Sequence, residues 1–352
     1  MILRSLKLEN FRSYKSFDIN LKPITVFVGP NGVGKTNLIE AIYFLALGKS
    51  YRVKNDSDMI LWGNDYCRVT GKTDTKNLEI FVSLLPEKAK SIKINDRKIK
   101  NAELFGKLKI IIFSPESIDI ITGAPKERRK FLDVILCQTD KKYLYNLLEL
   151  QKVLRNRNHL LFNIKIGHSK SDELIFWNNK LVELSRPIIA GRTKIIEIIN
   201  NNIADLYKKV SGQKEYLKVN YISSFGPLDY FFDLLVKNQN KEIKECATLF
   251  GPHRDNLEFT LDDRNVNVFA SRGEIRSIIF ALKVAEMEFI KKSGEKPLLL
   301  LDDIFSELDS KRRQKLSEII LSELAVITTT DSDFLSYNLQ KQSKIVELKA
   351  DK

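Results

Sequence analysis

Residues 29–36, Gly-Pro-Asn-Gly-Val-Gly-Lys-Thr, constrain the fold of this 352-residue chain more than any other segment. They follow an alternating apolar stretch, Ile24 to Val28, and lead into a helical pattern. A strand, a glycine-rich turn and a helix in this order present backbone N–H groups and a helix N-terminus to an anion. The lysine and the threonine would then reach the outer phosphates and a Mg²⁺ ion. The segment therefore predicts a nucleotide site in an α/β fold, with ATP and Mg²⁺ as cofactors.

The residues predicted to contact the nucleotide share this loop and the first turn of its helix. They are Gly29, Pro30, Asn31, Gly32, Val33, Gly34, Lys35, Thr36 and Asn37. Lys35 is predicted to be catalytic, and Thr36 to bind the metal.

Two acids far downstream supply a candidate for the hydrolytic part of the site. Asp302 and Asp303 follow the apolar run Leu298 to Leu301, which is typical of a strand buried on both faces of a sheet. Carboxylates at the C-terminal end of such a strand face the place where α/β sheets bind ligands. We expect Asp302 to hold Mg²⁺ through water, and Asp303 to polarise the attacking water.

Ser271 and Gly273 open a third motif, at the start of a helical pattern upstream of the two acids. A serine can cap a helix, and the helix N-terminus attracts an anion. Alone, this pattern fits an ordinary N-cap as well. Because it precedes an acidic strand, it resembles the signature motif of ATP-binding-cassette ATPases, and residues 306–309 resemble their D-loop.

The series of motifs resembles the RecF family, which are bacterial recombination and gap-repair ATPases of the SMC-like cassette branch, and the resemblance covers nearly the whole chain. Further segments that carry it are residues 8–14, 48–52, 113–116, 123–125, 128–133 and 251–255. One departure is Glu274, where the family usually has Gln and its SMC relatives have Glu.

The resemblance implies a fold, a set of partners and an activity. The fold is a P-loop cassette ATPase domain, with a mixed sheet and helices, that carries an inserted α-helical lid. Arg12 would lie near the nucleotide base. The partners would be double-stranded or gapped DNA and the mediator proteins RecR and RecO, in recombinational repair and replication restart. ATP would drive homodimerisation, since the P-loop of one copy would need Ser271 and Gly273 of the other. Asp303 is shorter than the Glu of fast cassette ATPases, which predicts slow turnover. Together with the motif series and the basic helical insert, this predicts a weak, DNA-dependent ATPase.

Charge is concentrated in the middle of the chain. The net charge is +13, and residues 117–212 hold 17 Lys and Arg against 10 Asp and Glu. Such an excess favours a polyanionic partner, and a solvated helix face is the alternative explanation for exposed cations. The candidate cations are Lys126, Arg128, Arg129, Lys130, Lys141, Lys142, Lys152, Arg155 and Arg157.

The same middle region has the apolar period of packed helices, in two stripes from Leu174 to Ile188 and from Ile196 to Val210. Pro187 is expected to interrupt or start a helix there. Because nucleotide motifs lie on both sides, we predict a discontinuous ATPase domain. Its parts are residues 1–116 and 213–352, with the helical insert at residues 117–212.

Two alternatives of other classes remain at this point. A nucleotide-binding subunit of a membrane transporter would show a Gln-containing loop where Phe113-Ser114-Pro115-Glu116 stand, and usually a switch His where Thr330 and Asp331 stand. A P-loop nuclease would need an acidic metal-binding domain after the ATPase. Within the ATPase class, another SMC-like P-loop ATPase also stays open, but a long-armed structural SMC protein does not fit the length of the chain, whose insert has room only for short helices. Three scattered cysteines, no signal-peptide pattern and no long apolar run predict a cytoplasmic protein without a membrane partner.

Overall fold

The computed structural model describes residues 1–349. The strands are β1 (Leu3–Phe11), β2 (Tyr14–Asn20), β3 (Ile24–Val28), β4 (Tyr66–Thr73), β5 (Asn77–Ser83), β6 (Ala89–Ile94), β7 (Arg97–Ile99), β8 (Ile110–Phe113), β9 (Leu217–Ile222), β10 (Asn256–Leu261), β11 (Arg264–Asn265), β12 (Leu298–Asp302), β13 (Leu324–Thr329) and β14 (Lys344–Glu347).

The α-helices are α1 (Lys35–Leu47), α2 (Asn101–Leu104), α3 (Asp119–Thr122), α4 (Pro125–Thr139), α5 (Lys141–Lys165), α6 (Leu174–Asn200), α7 (Ile203–Ser211), α8 (Phe231–Lys237), α9 (Gln239–Glu245), α10 (Val266–Phe269), α11 (Arg272–Lys291), α12 (Ile304–Glu307), α13 (Ser310–Ile320) and α14 (Tyr337–Gln342).

The chain forms two compact units. The first contains Met1–Ser117 and Glu286–Lys352, and the second contains Ile118–Ala285. The fold is α/β, as predicted, and the second unit, which is largely helical, lies in the sequence between the two parts of the first. The second unit begins at Ile118, and the sequence analysis placed the start of the insert at residue 117.

Two sheets build the first unit. A five-stranded parallel sheet has the order β14-β3-β13-β12-β8, and a six-stranded antiparallel sheet has the order β2-β1-β4-β5-β6-β7. The four leucines of β12 are each at most 4% exposed, and burying such a side chain contributes roughly 2 kcal/mol. Because both faces of β12 are covered, its sequence is an unbroken apolar run.

Helix α1 connects the two sheets. It contacts strands of both and is buried on nearly every side from Leu38 to Leu47. Gly48 ends it in a left-handed conformation, with φ 65°, and its N–H donates to the carbonyl of Phe44. The P-loop that precedes α1 is therefore fixed to the centre of the first unit.

The second unit packs helices on a small antiparallel sheet of order β11-β10-β9. Strand β9 contacts α6 and α7, and β10 contacts α4. Because these strands pack on the helices, the second unit extends to Ala285, beyond the return at residue 213 that the sequence predicted.

The prediction for Pro187 was wrong. Helix α6 runs through it without a break. A proline removes one hydrogen bond of a helix interior. The apolar residues on either side, Leu181 and Ile195, are fully buried, as is Ile188, so the packed stripe keeps the helix continuous.

Candidate nucleotide site

The glycine-rich loop has the backbone that its sequence predicts. It begins after β3 and ends at Lys35, the first residue of α1. Gly32 and Gly34 have φ of 84° and 98°, a region that favours glycine. A Cβ on Gly34 would also lie 2.9 Å from both the Ser13 and Tyr14 oxygens.

Lys35 lies over this loop. Its ammonium donates to the carbonyls of Gly29 and Pro30, at 2.7 and 2.9 Å. Burial lowers the pKa of Lys35, and the charges of Asp303 and Asp302 oppose that shift. The two downstream acids therefore share one electrostatic environment with the P-loop lysine.

Asp302 is brought directly to the loop helix. Its Oδ1 accepts hydrogen bonds from the Thr36 and Thr328 hydroxyls, both at 2.9 Å. Its Oδ2 accepts one from the Tyr51 hydroxyl at 3.2 Å. Burial raises the pKa of Asp302, and the three hydroxyl donors act against that increase. Strand register explains the position, since β12 pairs with β13 so that Asp302 lies beside Thr328.

Asp303 follows in a left-handed conformation, with φ 50°. Its N–H donates to the carbonyl and hydroxyl oxygens of Thr328, at 3.2 and 3.0 Å. Its Oδ1 is buried and accepts no hydrogen bond from residues 1–349. A buried carboxylate oxygen without a donor is costly, so this atom calls for an explanation.

Arg12 is held by a buried acid that the sequence analysis missed. Its Nε and one terminal nitrogen donate to the Glu40 carboxylate at 2.8 and 2.6 Å. Arg52 donates to the same carboxylate, at 3.1 Å, and to the Asn37 side chain, also at 3.1 Å. Glu40 is fully buried. A single acid within an otherwise apolar helix was the available signal, because a buried carboxylate needs cationic partners.

Tyr51 and Thr328 were missed as well. Tyr51 lies in the 48–52 segment, but its contact with Asp302 spans 251 positions of sequence. No spacing rule predicts such a contact. Thr328 is fully buried in β13 and looks like any other strand residue in the sequence.

Ser271 and Gly273 lie in the second unit, at the start of α11. The Ser271 hydroxyl accepts from the Glu274 N–H at 3.3 Å, and the Glu274 carboxylate accepts from the Ser271 N–H at 2.6 Å. This is a capping box. The hydrogen bonds from Ser271 lower the pKa of Glu274. A Cβ on Gly273 would meet nothing closer than the Ser271 oxygen, at 4.0 Å.

Two of the predicted surface cations are structural. Arg157 is fully buried, and its guanidinium donates to Glu242 at 2.5 Å, to Asn178 and to Thr248. Arg128 is 5% exposed and donates to the carbonyls of Ile121 and Gly123. Their prediction as DNA-contacting residues was wrong, because the apolar stripes of α4 and α5 carry these two side chains inward.

Most of the other candidate cations are at the surface. Lys126, Lys130, Lys141, Lys142, Lys152 and Arg155 are exposed. Arg129 is half-buried and donates to the carbonyl of Asp255 at 2.6 Å. Within residues 1–349, no helix is both long and apolar enough to cross a lipid bilayer.

Comparison with known proteins gives the family. The family model for the RecF/RecN/SMC N terminal domain matches residues 2–350. The DNA replication and repair protein RecF of Agathobacter rectalis is 37% identical over 98% of this chain and 96% of its own length. The chain belongs to the RecF family. The RecF of Lactobacillus johnsonii is 34% identical, over 99% and 98% of the two chains.

Solved structures agree with this assignment. A structure of the recombination mediator protein RecF-ATP in the RecFOR pathway has a TM-score of 0.88 and 32% identity, covering 94% of this chain and 93% of that one. An Smc head bound to the C-terminal winged-helix domain of ScpA has a TM-score of 0.58 at 17% identity, over 99% and 94% of the two chains, and shares the fold alone. Because these RecF relatives match the chain over nearly their full length, they favour the RecF family over the transporter and nuclease alternatives.

Proposed function

We propose that this RecF-family chain is a DNA-repair ATPase in which ATP and Mg²⁺ bind at the P-loop and pair two copies around DNA. The observation that carries the proposal is the convergence of Lys35, Thr36 and Asp302 from opposite ends of the sequence. A related RecF has been solved with ATP.

The residues at the loop fit a magnesium ion. Thr36 and Asp302 present hard oxygen donors 2.9 Å apart. Mg²⁺ in such sites uses few protein ligands and completes its shell with water and phosphate. Thr36 and Asp302 would hold the ion, which would neutralise charge on the β- and γ-phosphates.

The protein side chains would divide the remaining work. Lys35 would leave the carbonyls of Gly29 and Pro30 for phosphate oxygens, which are stronger acceptors because they are charged. Asp303 would use its unpartnered Oδ1 to accept a hydrogen bond from the attacking water. We propose slow hydrolysis, since an aspartate reaches less far than the glutamate of faster cassette enzymes.

Pairing would place the γ-phosphate of one copy against Ser271 and Gly273 of the other. Both residues begin a 20-residue helix, and its N-terminus favours an anion. The support for this step is the serine cap of α11 together with the space beside Gly273, where an added Cβ would meet nothing closer than 4.0 Å. In a pair with twofold symmetry, each of the two ATP molecules would contact the P-loop of one copy and the Ser271 motif of the other.

The exposed cations of the second unit would contact phosphates of double-stranded or gapped DNA, without strong sequence preference. We propose a cytoplasmic protein, in which hydrolysis releases the DNA and the mediators RecO and RecR help load a recombinase. Residues 117–212 would act as the DNA-facing lid, together with the sheet that packs on it.

Light scattering of the purified protein with ATP, with ADP and without nucleotide tests the pairing. We expect a dimer with ATP, and a monomer with ADP or without nucleotide. We expect duplex DNA to lengthen the lifetime of the dimer. Two inactive variants, Lys35→Met and Ser271→Arg, should regain turnover when mixed, because one mixed site keeps both wild-type halves. A monomer at saturating ATP, together with no recovery in the mixture, would contradict the proposal.

A further inference from the structure

Three consecutive side chains after α1 turn back toward the nucleotide site. The Ser50 hydroxyl donates to the Glu40 carboxylate, and Arg52 donates to Glu40 at 3.1 Å. Between them, the Tyr51 hydroxyl reaches Asp302. Because Glu40 is fully buried in α1, the segment has a rigid anchor on both sides of Tyr51.

Tyr51 is also fixed by its ring. The ring packs edge-on against Tyr43, with centroids 5.0 Å apart and an angle of 65° between the planes. A buried aromatic pair of this geometry holds both rings in place. The ring contact with Tyr43 and the hydrogen bond to Asp302 therefore both hold the hydroxyl of Tyr51 in place.

The two oxygens of Asp302 have unequal support. Thr36 and Thr328 donate to Oδ1, whereas Tyr51 is the donor at Oδ2. A carboxylate can rotate about its terminal torsion over a broad range. Without a donor at Oδ2, the orientation of the group would depend on the threonines alone, and Thr36 is the residue that the proposed metal would engage.

We propose that Tyr51 is a positioning residue that fixes the Asp302 carboxylate for metal binding. The inference rests on the proposed role of Asp302 as a Mg²⁺ ligand. Tyr51 touches neither the phosphates nor the reacting water in this account, and acts through Asp302. Donors behind a metal ligand typically change metal affinity about 10-fold or more when removed.

The test uses Mn²⁺ as the probe, with a slowly hydrolysed ATP analogue bound to the full chain. Free Mn²⁺ is measured by electron paramagnetic resonance, so the readout does not depend on turnover. Tyr51→Phe removes only the hydroxyl and should weaken Mn²⁺ binding about 10-fold. Its affinity for the analogue without metal should stay within about twofold of wild type, because P-loop contacts are untouched.

Tyr43→Phe is the matched control, since it removes a hydroxyl from the other ring of the same pair and should leave Mn²⁺ affinity unchanged. Ser50→Ala loosens the anchor and should weaken Mn²⁺ binding less than Tyr51→Phe does. Thermal unfolding of each variant shows whether it is folded. An unchanged Mn²⁺ affinity in Tyr51→Phe, or an equal loss in Tyr43→Phe, overturns the inference.

Asp302→Asn separates this inference from the proposed function. If Asp302→Asn binds Mn²⁺ as tightly as wild type, the metal role of Asp302 is wrong and both claims fall. If Asp302→Asn loses affinity and Tyr51→Phe does not, the metal role stands and only the positioning role is wrong.

Discussion

Asp302 shows how a single residue can be unfavourable for folding and suited to its site. It is 3% exposed, and burial raises its pKa above the ordinary 3.8 although three hydroxyls donate to it. A raised carboxyl pKa means that the charged form is less favourable in the folded state than in the unfolded state. At neutral pH, the ionised carboxylate therefore reduces stability.

Asp302→Asn should for this reason stabilise the nucleotide-free protein, by about 1 kcal/mol at pH 7.5. The advantage should shrink as pH falls toward 4, because the folded wild type takes up its proton before the unfolded chain, whose pKa is near 3.8, does so. Chemical denaturation at both pH values measures the difference. A variant less stable than wild type at pH 7.5 would contradict this reading of Asp302.

Arg155 and Arg157 are neighbouring cations of α5 that differ in burial, since Arg155 is exposed and Arg157 is fully buried. Removing Arg157 leaves Glu242 buried without its partner, so Arg157→Ala should lower the free energy of unfolding by about 3–5 kcal/mol. Arg155→Ala should change stability by less than about 0.5 kcal/mol, because its side chain is exposed. Urea denaturation measures both.

The same pair separates folding from DNA binding. Arg155→Ala should weaken duplex binding about threefold, with a smaller loss at high salt, as fluorescence anisotropy would show. If Arg157→Ala were as stable as wild type, the buried ion pair would not matter. If Arg155→Ala bound DNA normally at low salt, this face of α5 would not be an interface.

At the scale of elements, the start of α11 combines a helix cap with a negative charge, because Glu274 stands where the family usually has Gln. Glu274 completes the capping box of Ser271, and a glutamine can do the same without a negative charge. In the proposed pair, a γ-phosphate would approach this carboxylate. Glu274→Gln should therefore lower the ATP concentration for half-maximal pairing about threefold, the size of one exposed charge interaction.

Sedimentation at increasing ATP concentrations measures this effect. Glu274→Ala serves as the comparison, since it removes the charge and the cap together and should cost the helix about 1 kcal/mol. Weaker pairing in Glu274→Gln than in wild type would show that the carboxylate does not oppose the phosphate.

Elements with a strong local pattern could be predicted from the sequence, and elements defined by distant contacts could not. The P-loop, β12 and the helices of the insert follow from glycine placement and apolar period. Strand β14 was missed because Lys344–Glu347 is short, polar and half-exposed at a sheet edge. Glu40 and Tyr51 were missed for a related reason, since their partners are fixed only by the assembled first unit.

For the molecule as a whole, the motifs identified the family, while the boundary of the insert depended on packing. The helical period ends near residue 212, yet β9 and β10 belong to the second unit because their apolar faces, including Val219 and Phe259, are buried there. A change of period marks the end of helices and not the end of a compact unit. The count of Lys and Arg in residues 117–212 likewise overestimated the surface charge, since it included Arg128 and Arg157, which are buried.

The position of β3 has a consequence for synthesis on the ribosome. Its two neighbours in the sheet are β13 and β14, which are made about 300 residues later. Translation proceeds at ~5–20 residues per second, so the strand that leads into the P-loop waits many seconds for both partners. A chain that stops before β13 therefore has β3 without either of its sheet partners, and a P-loop without the parallel sheet that fixes it. Nascent and truncated products should therefore need chaperones and should be unable to compete with finished molecules for nucleotide.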